Sequence, residues 1–201
     1  DDFALDLSWS ALQPLNDSIA LSADAEGSFE RSIAHAHFEG SCRVVGTIKY
    51  RGAKGVEFDG HGARDIAAGP RDWNALRHYR LAMPIFADGL TIIGIHGISD
   101  AGKDSYMKML HDGHSWQRIA QLRDELQFEE DDMTVKRADW SASAENGTQY
   151  RVSGRRLFHC FLPLDSFMLA EHMMEFKRDD GAVGYGLVEC GYRFPWSGNG
   201  N

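Results

Sequence analysis

The 201-residue chain sets 21 lysines and arginines against 30 acidic residues, a formal net charge of -9, and is 43% hydrophobic. That apolar content suffices for a packed core. An acidic chain without a Lys/Arg run argues against a nucleic-acid groove or an anionic membrane surface as principal partner. No stretch approaches the roughly 20 apolar residues of a membrane span, and the acidic start Asp1-Asp2 lacks the basic and apolar regions of a signal peptide. The chain reads as soluble and cytoplasmic, with a small-molecule partner. Cys42, Cys160 and Cys190 are odd in number and widely spaced, which disfavours a disulfide framework or a zinc site and suggests reduced core thiols.

In chain order, short helix is expected only in Ala25 to Ala34 and Trp73 to Leu76. The rest is punctuated by hairpin-turn pairs that tolerate positive φ: Asp59-Gly60, Asp88-Gly89, Asp112-Gly113, Asn146-Gly147 and Asp180-Gly181. Between them the pattern predicts strands at Val44 to Tyr50, His78 to Phe86, Thr91 to Ile98, Ser105 to Leu110, Gln149 to Phe158 and Val183 to Tyr192. Leu169 to Phe176 consists largely of helix formers. At period two, however, Met168, Ala170, His172, Met174 and Phe176 share a face opposite Glu171, Glu175 and Lys177, so the segment is read as a strand. Glycines 184 and 186 in the last strand leave room for a ligand or another strand to approach. With no break in composition and no repeat, the expectation is one all-β domain over residues 1–201, an antiparallel meander barrel with an N-terminal strand extension.

Ionisable residues among apolar strand neighbours are the candidates for chemistry. His96 shares a face with Ile92, Gly94 and Ile98, and is either a satisfied interior histidine or a cavity acid or base. Glu189, beside Tyr185 and Leu187, is either paired with an arginine or an enclosed carboxyl suited to proton donation. His172, among Met168, Met174 and Phe176, is a candidate to line a ligand site. His35, His37 and Glu39 alternate along one strand face but lack a visible further ligand, so no metal is expected. No GxSxG elbow, Walker loop or dinucleotide fingerprint is present.

The densest stretch is Gly60-His61-Gly62-Ala63-Arg64-Asp65-Ile66-Ala67-Ala68-Gly69-Pro70-Arg71-Asp72-Trp73. Read structurally, it is a loop across a barrel mouth, clamped by Arg64, Asp65, Arg71 and Asp72 and plugged by Trp73. Read functionally, Asp65 or Asp72 is a proton donor or acceptor in a partly dry pocket, with Trp73 packed on an apolar ligand.

This stretch resembles the G-x-G-x-R-D-x-S-W-G-x-R-D-W segment of the AttH-like and carotenoid 1,2-hydratase-like lipocalin families. The strand from Phe38 to Ile48 is similar to their "FEQxGRVxGTI" segment. Phe3 to Pro14 resembles the amphipathic strand before it, while Phe86-Ala87-Asp88-Gly89 and Gly184 to Glu189 resemble "FxDG" and "GYGxxE". The chain departs from the pattern at Ile66-Ala67-Ala68, where those families carry Ser-Trp. The resemblance implies lipocalin-like barrels, usually two in tandem, that hold a hydrophobic ligand without a cofactor. Since 201 residues are short for two full barrels, the expectation is either one barrel with extensions or a chain that completes its cavity by pairing with another copy or a second barrel.

Together these readings describe an enzyme acting on a terpenoid, steroid-like or polyketide ligand by acid/base hydration, isomerisation or cyclisation. Asp65, Asp72, Glu189 and His96 are the candidate acids and bases. Trp73, Tyr185, His172, Trp116, Arg64 and Arg71 are the candidate ligand contacts. The alternatives are a non-catalytic carrier or sensor of an apolar ligand, and an interaction module whose barrel is filled by its own side chains.

Overall fold

The computed structural model describes residues 3–21, 34–69, 72–164 and 166–194. The expected helix at Ala25 to Ala34 falls almost wholly outside these residues, as do Pro70 and Arg71. Eight strands follow one another as an antiparallel meander: β5 (Leu76–Phe86), β6 (Leu90–Ser99), β7 (Asp104–Asp112), β8 (Trp116–Phe128), β9 (Val135–Ala144), β10 (Gln149–Leu164), β11 (Phe167–Arg178) and β12 (Val183–Arg193). β12 pairs back onto β5, so the sheet closes into a barrel with no free edge. The N-terminal strands β1 (Phe3–Ala11), β2 (Asn16–Asp17), β3 (Ala36–Tyr50) and β4 (Val56–Ala68) form a separate sheet. In it β3 pairs with β1 and β2 along one edge and with β4 along the other. One helical turn, α1 (Ser18–Leu21), and a 3-10 turn at Trp73–Ala75 complete the described elements. No helix among the described residues is long and apolar enough to cross a membrane.

Four of the five turn pairs sit between consecutive barrel strands, with Gly89, Gly113, Gly147 and Gly181 at positive φ. Asp59-Gly60 is different: it lies inside β4, and the chain reverses instead at Arg51-Gly52, where φ is 49° and 69°. The expected loop from Gly60 onward is therefore a strand as far as Ala68. The Leu169 to Phe176 segment is part of strand β11, as its period-two alternation predicts.

Two layers of apolar packing result. Phe86, Ile92, Leu110, Trp140, Met174, Phe176 and Val188, each at most 4% exposed, fill the barrel interior. A second cluster, which includes Tyr79, Leu81, Met83, Ile93, Ile95 and Phe167, lies on the outside of β5, β6 and β11 and takes in Ile19 of α1 and Ala67 of β4. Both faces of β5 and β6 are thus buried, because the N-terminal sheet covers the outer wall. Three hydrogen bonds tie the layers where they meet: Gln13 Nε2 to Thr91 Oγ1, Ser41 Oγ to Gln13 Oε1, and Thr91 Oγ1 to Ser41 Oγ. The space left by Gly186 is taken by β5 rather than by a ligand, since a Cβ there would run into the Met83 carbonyl. All three cysteines are free, Cys42 and Cys190 buried as expected and Cys160 exposed.

Candidate functional site

Side-chain alternation decides what the N-terminal sheet presents to the barrel. In the β3–β4 register Glu39 lies opposite Asp65, Ser41 opposite Ala63 and His37 opposite Ala67. Ser41 bonds the barrel's Thr91 and Ala67 packs on its outer wall, so His37, Glu39 and Asp65 share the barrel-facing side. His37 Nε2 lies 2.7 Å from Asp65 Oδ1 and 3.9 Å from Glu39 Oε1. The backbone of His37 is held from the β2–α1 junction: Ser18 Oγ donates to its carbonyl at 2.8 Å, and its N–H donates to Asp17 Oδ1 at 3.4 Å. Glu39 is wholly buried. That burial lifts its carboxyl to about 7; His37 pulls it down and the charge of Asp65 pushes it further up.

The barrel contributes the other half. Glu171 of β11 lies directly across from Glu189 of β12 on the outer wall, the face that also carries Leu169 and Leu187. Tyr79 of β5 donates its hydroxyl to Glu189 Oε1. Burial, then the hydrogen bond and charge of Glu189, then the charge of Asp65, push the Glu171 carboxyl up to about 8. Burial and the same Glu189 charge hold the Tyr79 phenol well above its usual range, so it stays a proton donor. Behind Tyr79 the aromatic packing continues: its ring stacks on Phe167 at 5.9 Å, and Phe167 lies 5.3 Å from Trp73.

The arrangement is thus two opposed acidic groups, one on the sheet and one on the barrel wall, with Asp65 electrostatically coupled to both. A carboxyl that keeps its proton near neutral pH, facing a His–Asp pair, can donate a proton on one side and accept one on the other.

The remaining expected site residues are dispersed. Arg64 points to the opposite face of β4 from Asp65 and lines a hollow of about 400 Å³ with Trp9, Leu15 and Cys42. No clamp therefore joins Arg64 to Asp65, and Arg71 lies outside the described residues. Asp72 is exposed, and its backbone carbonyl closes the 3-10 turn by accepting from Ala75 N–H. Tyr185 shares the outer face with Glu189 and is 49% exposed. Trp116 donates its indole N–H to the Pro14 carbonyl at 2.8 Å. His96 is on the interior side of β6, stacked on Tyr106 at 4.3 Å with Nε2 3.1 Å from Asp104.

His172 is a buried core residue: Nε2 accepts from Val135 N–H at 2.9 Å and Nδ1 lies 2.8 Å from the Val188 carbonyl. That fixes the neutral form with the proton on Nδ1, and burial lowers its pKa. Both residues that sequence reasoning missed, Glu171 and Tyr79, are reached only through strand register. Glu171 had been visible as an outward residue of its strand, but nothing in sequence pairs it with Glu189.

A closed eight-stranded meander with a four-stranded sheet packed on its wall defines a protein with a lipocalin-like fold. The chain belongs to a family described as a domain of unknown function, DUF7064, whose model matches residues 1–193. Two solved structures show the fold. An AttH candidate protein from Nitrosomonas europaea is 15% identical with a TM-score of 0.60, over 94% of this chain and 61% of that one. Kievitone hydratase from Nectria haematococca is 11% identical with a TM-score of 0.58, over 95% of this chain and 62% of that one. The chain therefore spans about three fifths of the length of these structures. No curated protein matches the sequence.

Proposed function

We propose that the protein catalyses cofactor-free acid/base chemistry, of which hydration or dehydration of an unsaturated hydrophobic small molecule is the form the site suits best. The observation that carries this reading is the Glu171–Glu189 pair, two carboxyl groups directly across from each other on a half-buried wall, with the Glu171 carboxyl also pushed up by the charge of Asp65. Glu171 gives its proton to an alkene carbon or a carbonyl oxygen of the substrate. Water then adds at the electron-poor carbon and loses a proton to the Asp65–His37 pair; one water is consumed, and exchange with solvent returns a proton to Glu171 before the next turnover. Tyr79 donates its hydroxyl to Glu189, and the raised carboxyl of Glu171 carries the transferable proton. The acidic surroundings and the aromatic row Tyr79, Phe167 and Trp73 favour positive charge developing on the substrate. The likeness in fold to kievitone hydratase supports a hydratase over other acid/base reactions.

The test is turnover of a panel of isoprenoid and polyketide-type enones and alkenes by the wild type and by Glu171→Gln, Glu189→Gln and Asp65→Asn. Loss of about 10²-fold or more in kcat for Glu171→Gln and Asp65→Asn is expected. Full activity in both variants refutes the assignment. A ligand retained unchanged, with no turnover of any compound, favours the carrier reading instead.

A further inference from the structure

Glu39 is the least explained charged residue of the site. It is fully buried, and neither carboxylate oxygen has a hydrogen-bond partner among the described residues. The neighbouring Ser18 hydroxyl commits its single proton to the His37 carbonyl. An isolated buried carboxylate costs several kcal/mol unless it is protonated, paired or bound to a cation. The fold nevertheless aims it at two further ligand-type side chains. One atom each from His37, Glu39 and Asp65 comes within 4.8 Å of the others, one ligand from each of two neighbouring strand positions and the third from directly across the sheet.

We propose that His37, Glu39 and Asp65 form a binding site for a divalent transition-metal ion of the zinc class. A tetrahedral ion with ligand bonds of about 2.1 Å needs its donor atoms roughly 3.4 Å apart. Two of the three separations, 2.7 Å from His37 to Asp65 and 3.9 Å from His37 to Glu39, bracket that value, and the third lies within 4.8 Å, so modest side-chain shifts bring the three donors around one ion. One imidazole and two carboxylates form a mixed nitrogen–oxygen set, which prefers Zn2+ and similar ions over Mg2+ or Ca2+; those favour all-oxygen shells with more ligands. Asp17 of β2 and Ser18 of α1 hold the His37 backbone in place. A dication here supplies the charge that Glu39 lacks. It also occupies the groups that the acid/base reading needs free, so the same three residues bind either a proton or a metal and the ion acts as an inhibitor. Only this last consequence rests on the proposed function; binding itself does not.

Isothermal titration of the chelator-treated protein with ZnCl2, and separately with MgCl2, tests the site. The expected result is one tight equivalent of Zn2+ with no comparable Mg2+ binding, weakened by about tenfold or more in Glu39→Gln and in His37→Gln. Glu39→Gln keeps the shape of the buried side chain, and its circular dichroism and melting curve report whether it folds. Zn2+ affinity unchanged in both variants places the ion on other surface histidines and overturns the proposal, as does the absence of any stoichiometric binding. A fully active Glu171→Gln defeats the acid/base reading while leaving this titration untouched, so the two failures are distinguishable.

Discussion

Replacing Glu171 with glutamine should remove a specific pH dependence of stability. The Glu171 carboxyl is displaced from 4.5 to about 8 by burial and by Glu189, so the folded protein binds more protons there than the unfolded chain across that interval. Its favourable contribution is complete below about pH 4.5 and is lost as the pH rises through about 8. At ~1.4 kcal/mol per pH unit the full displacement sets a ceiling of ~5 kcal/mol. Glu171 is only half-buried, and solvent screening brings the expected loss to ~2 kcal/mol between pH 5 and 8.5, or roughly 4–8 °C in melting temperature for a protein of this size. His78, held at about 4 mainly by burial, and His172, also lowered by burial, act in the opposite sense as the pH rises toward their unfolded values. Both are common to the two proteins and cancel in the difference. Thermal melts of wild type and Glu171→Gln at pH 5.5, 7 and 8.5, all with excess chelator, read that difference directly. A wild-type loss that exceeds the variant's by several degrees is expected, and the same loss in both refutes the shared-proton pair.

Two further substitutions separate the site from its scaffold. Tyr79→Phe removes the donor to Glu189 while keeping the ring stacked on Phe167; it should lower kcat by about tenfold or more and shift the alkaline limb of the rate–pH profile. Unaltered limbs in that profile would reduce Tyr79 to a packing role. His172→Leu removes the acceptor of Val135 N–H and a donor to the Val188 carbonyl inside the core, at a cost of about 1–3 kcal/mol by urea denaturation, while the rate–pH profile of the protein that remains folded stays as in the wild type.

How much of this was legible in the sequence depends on what covers each strand. The Asp-Gly and Asn-Gly pairs at 88, 112, 146 and 180 marked the meander because each follows a strand that ends at the barrel rim. Asp59-Gly60 misled because glycine is also tolerated inside β4, whose turn chemistry was carried instead by Arg51-Gly52. β11 was readable against its helix propensity because one face, Ala170 to Phe176, is wholly interior and the other is mixed. Two barrel strands, β8 and β9, were not anticipated: β8 sets the charged Asp124 among the half-buried Leu122, Leu126 and Phe128, which breaks the apolar alternation, and β9 opens with the exposed pair Lys136-Arg137.

The site was half legible for the same reason. An ionisable residue among apolar strand neighbours was taken to face a barrel interior, and for His172 and His96 it does. Glu189 has equally apolar neighbours, yet it lies outside, because the N-terminal sheet turns the outer wall of β5, β6 and β12 into a second buried layer. Alternation assigns Glu189 and Cys190 to opposite faces but cannot say which face is the inner one when both are covered. The same rule applied to β4 is decisive: Arg64 and Asp65, adjacent in the densest stretch of the chain, must point to opposite sides of the sheet. Asp65 therefore meets His37, Glu39 and the barrel, while Arg64 goes to the far face with Trp9 and Cys42. The Arg-Asp repeat is thus one half of a carboxylate site and one half of an unrelated apolar face. Ala67, at the serine position of the resembled motif, lies on the Asp65 side directly across from His37, so that departure removes a hydroxyl beside the acidic site, whereas Ala68, at the tryptophan position, lies on the Arg64 face.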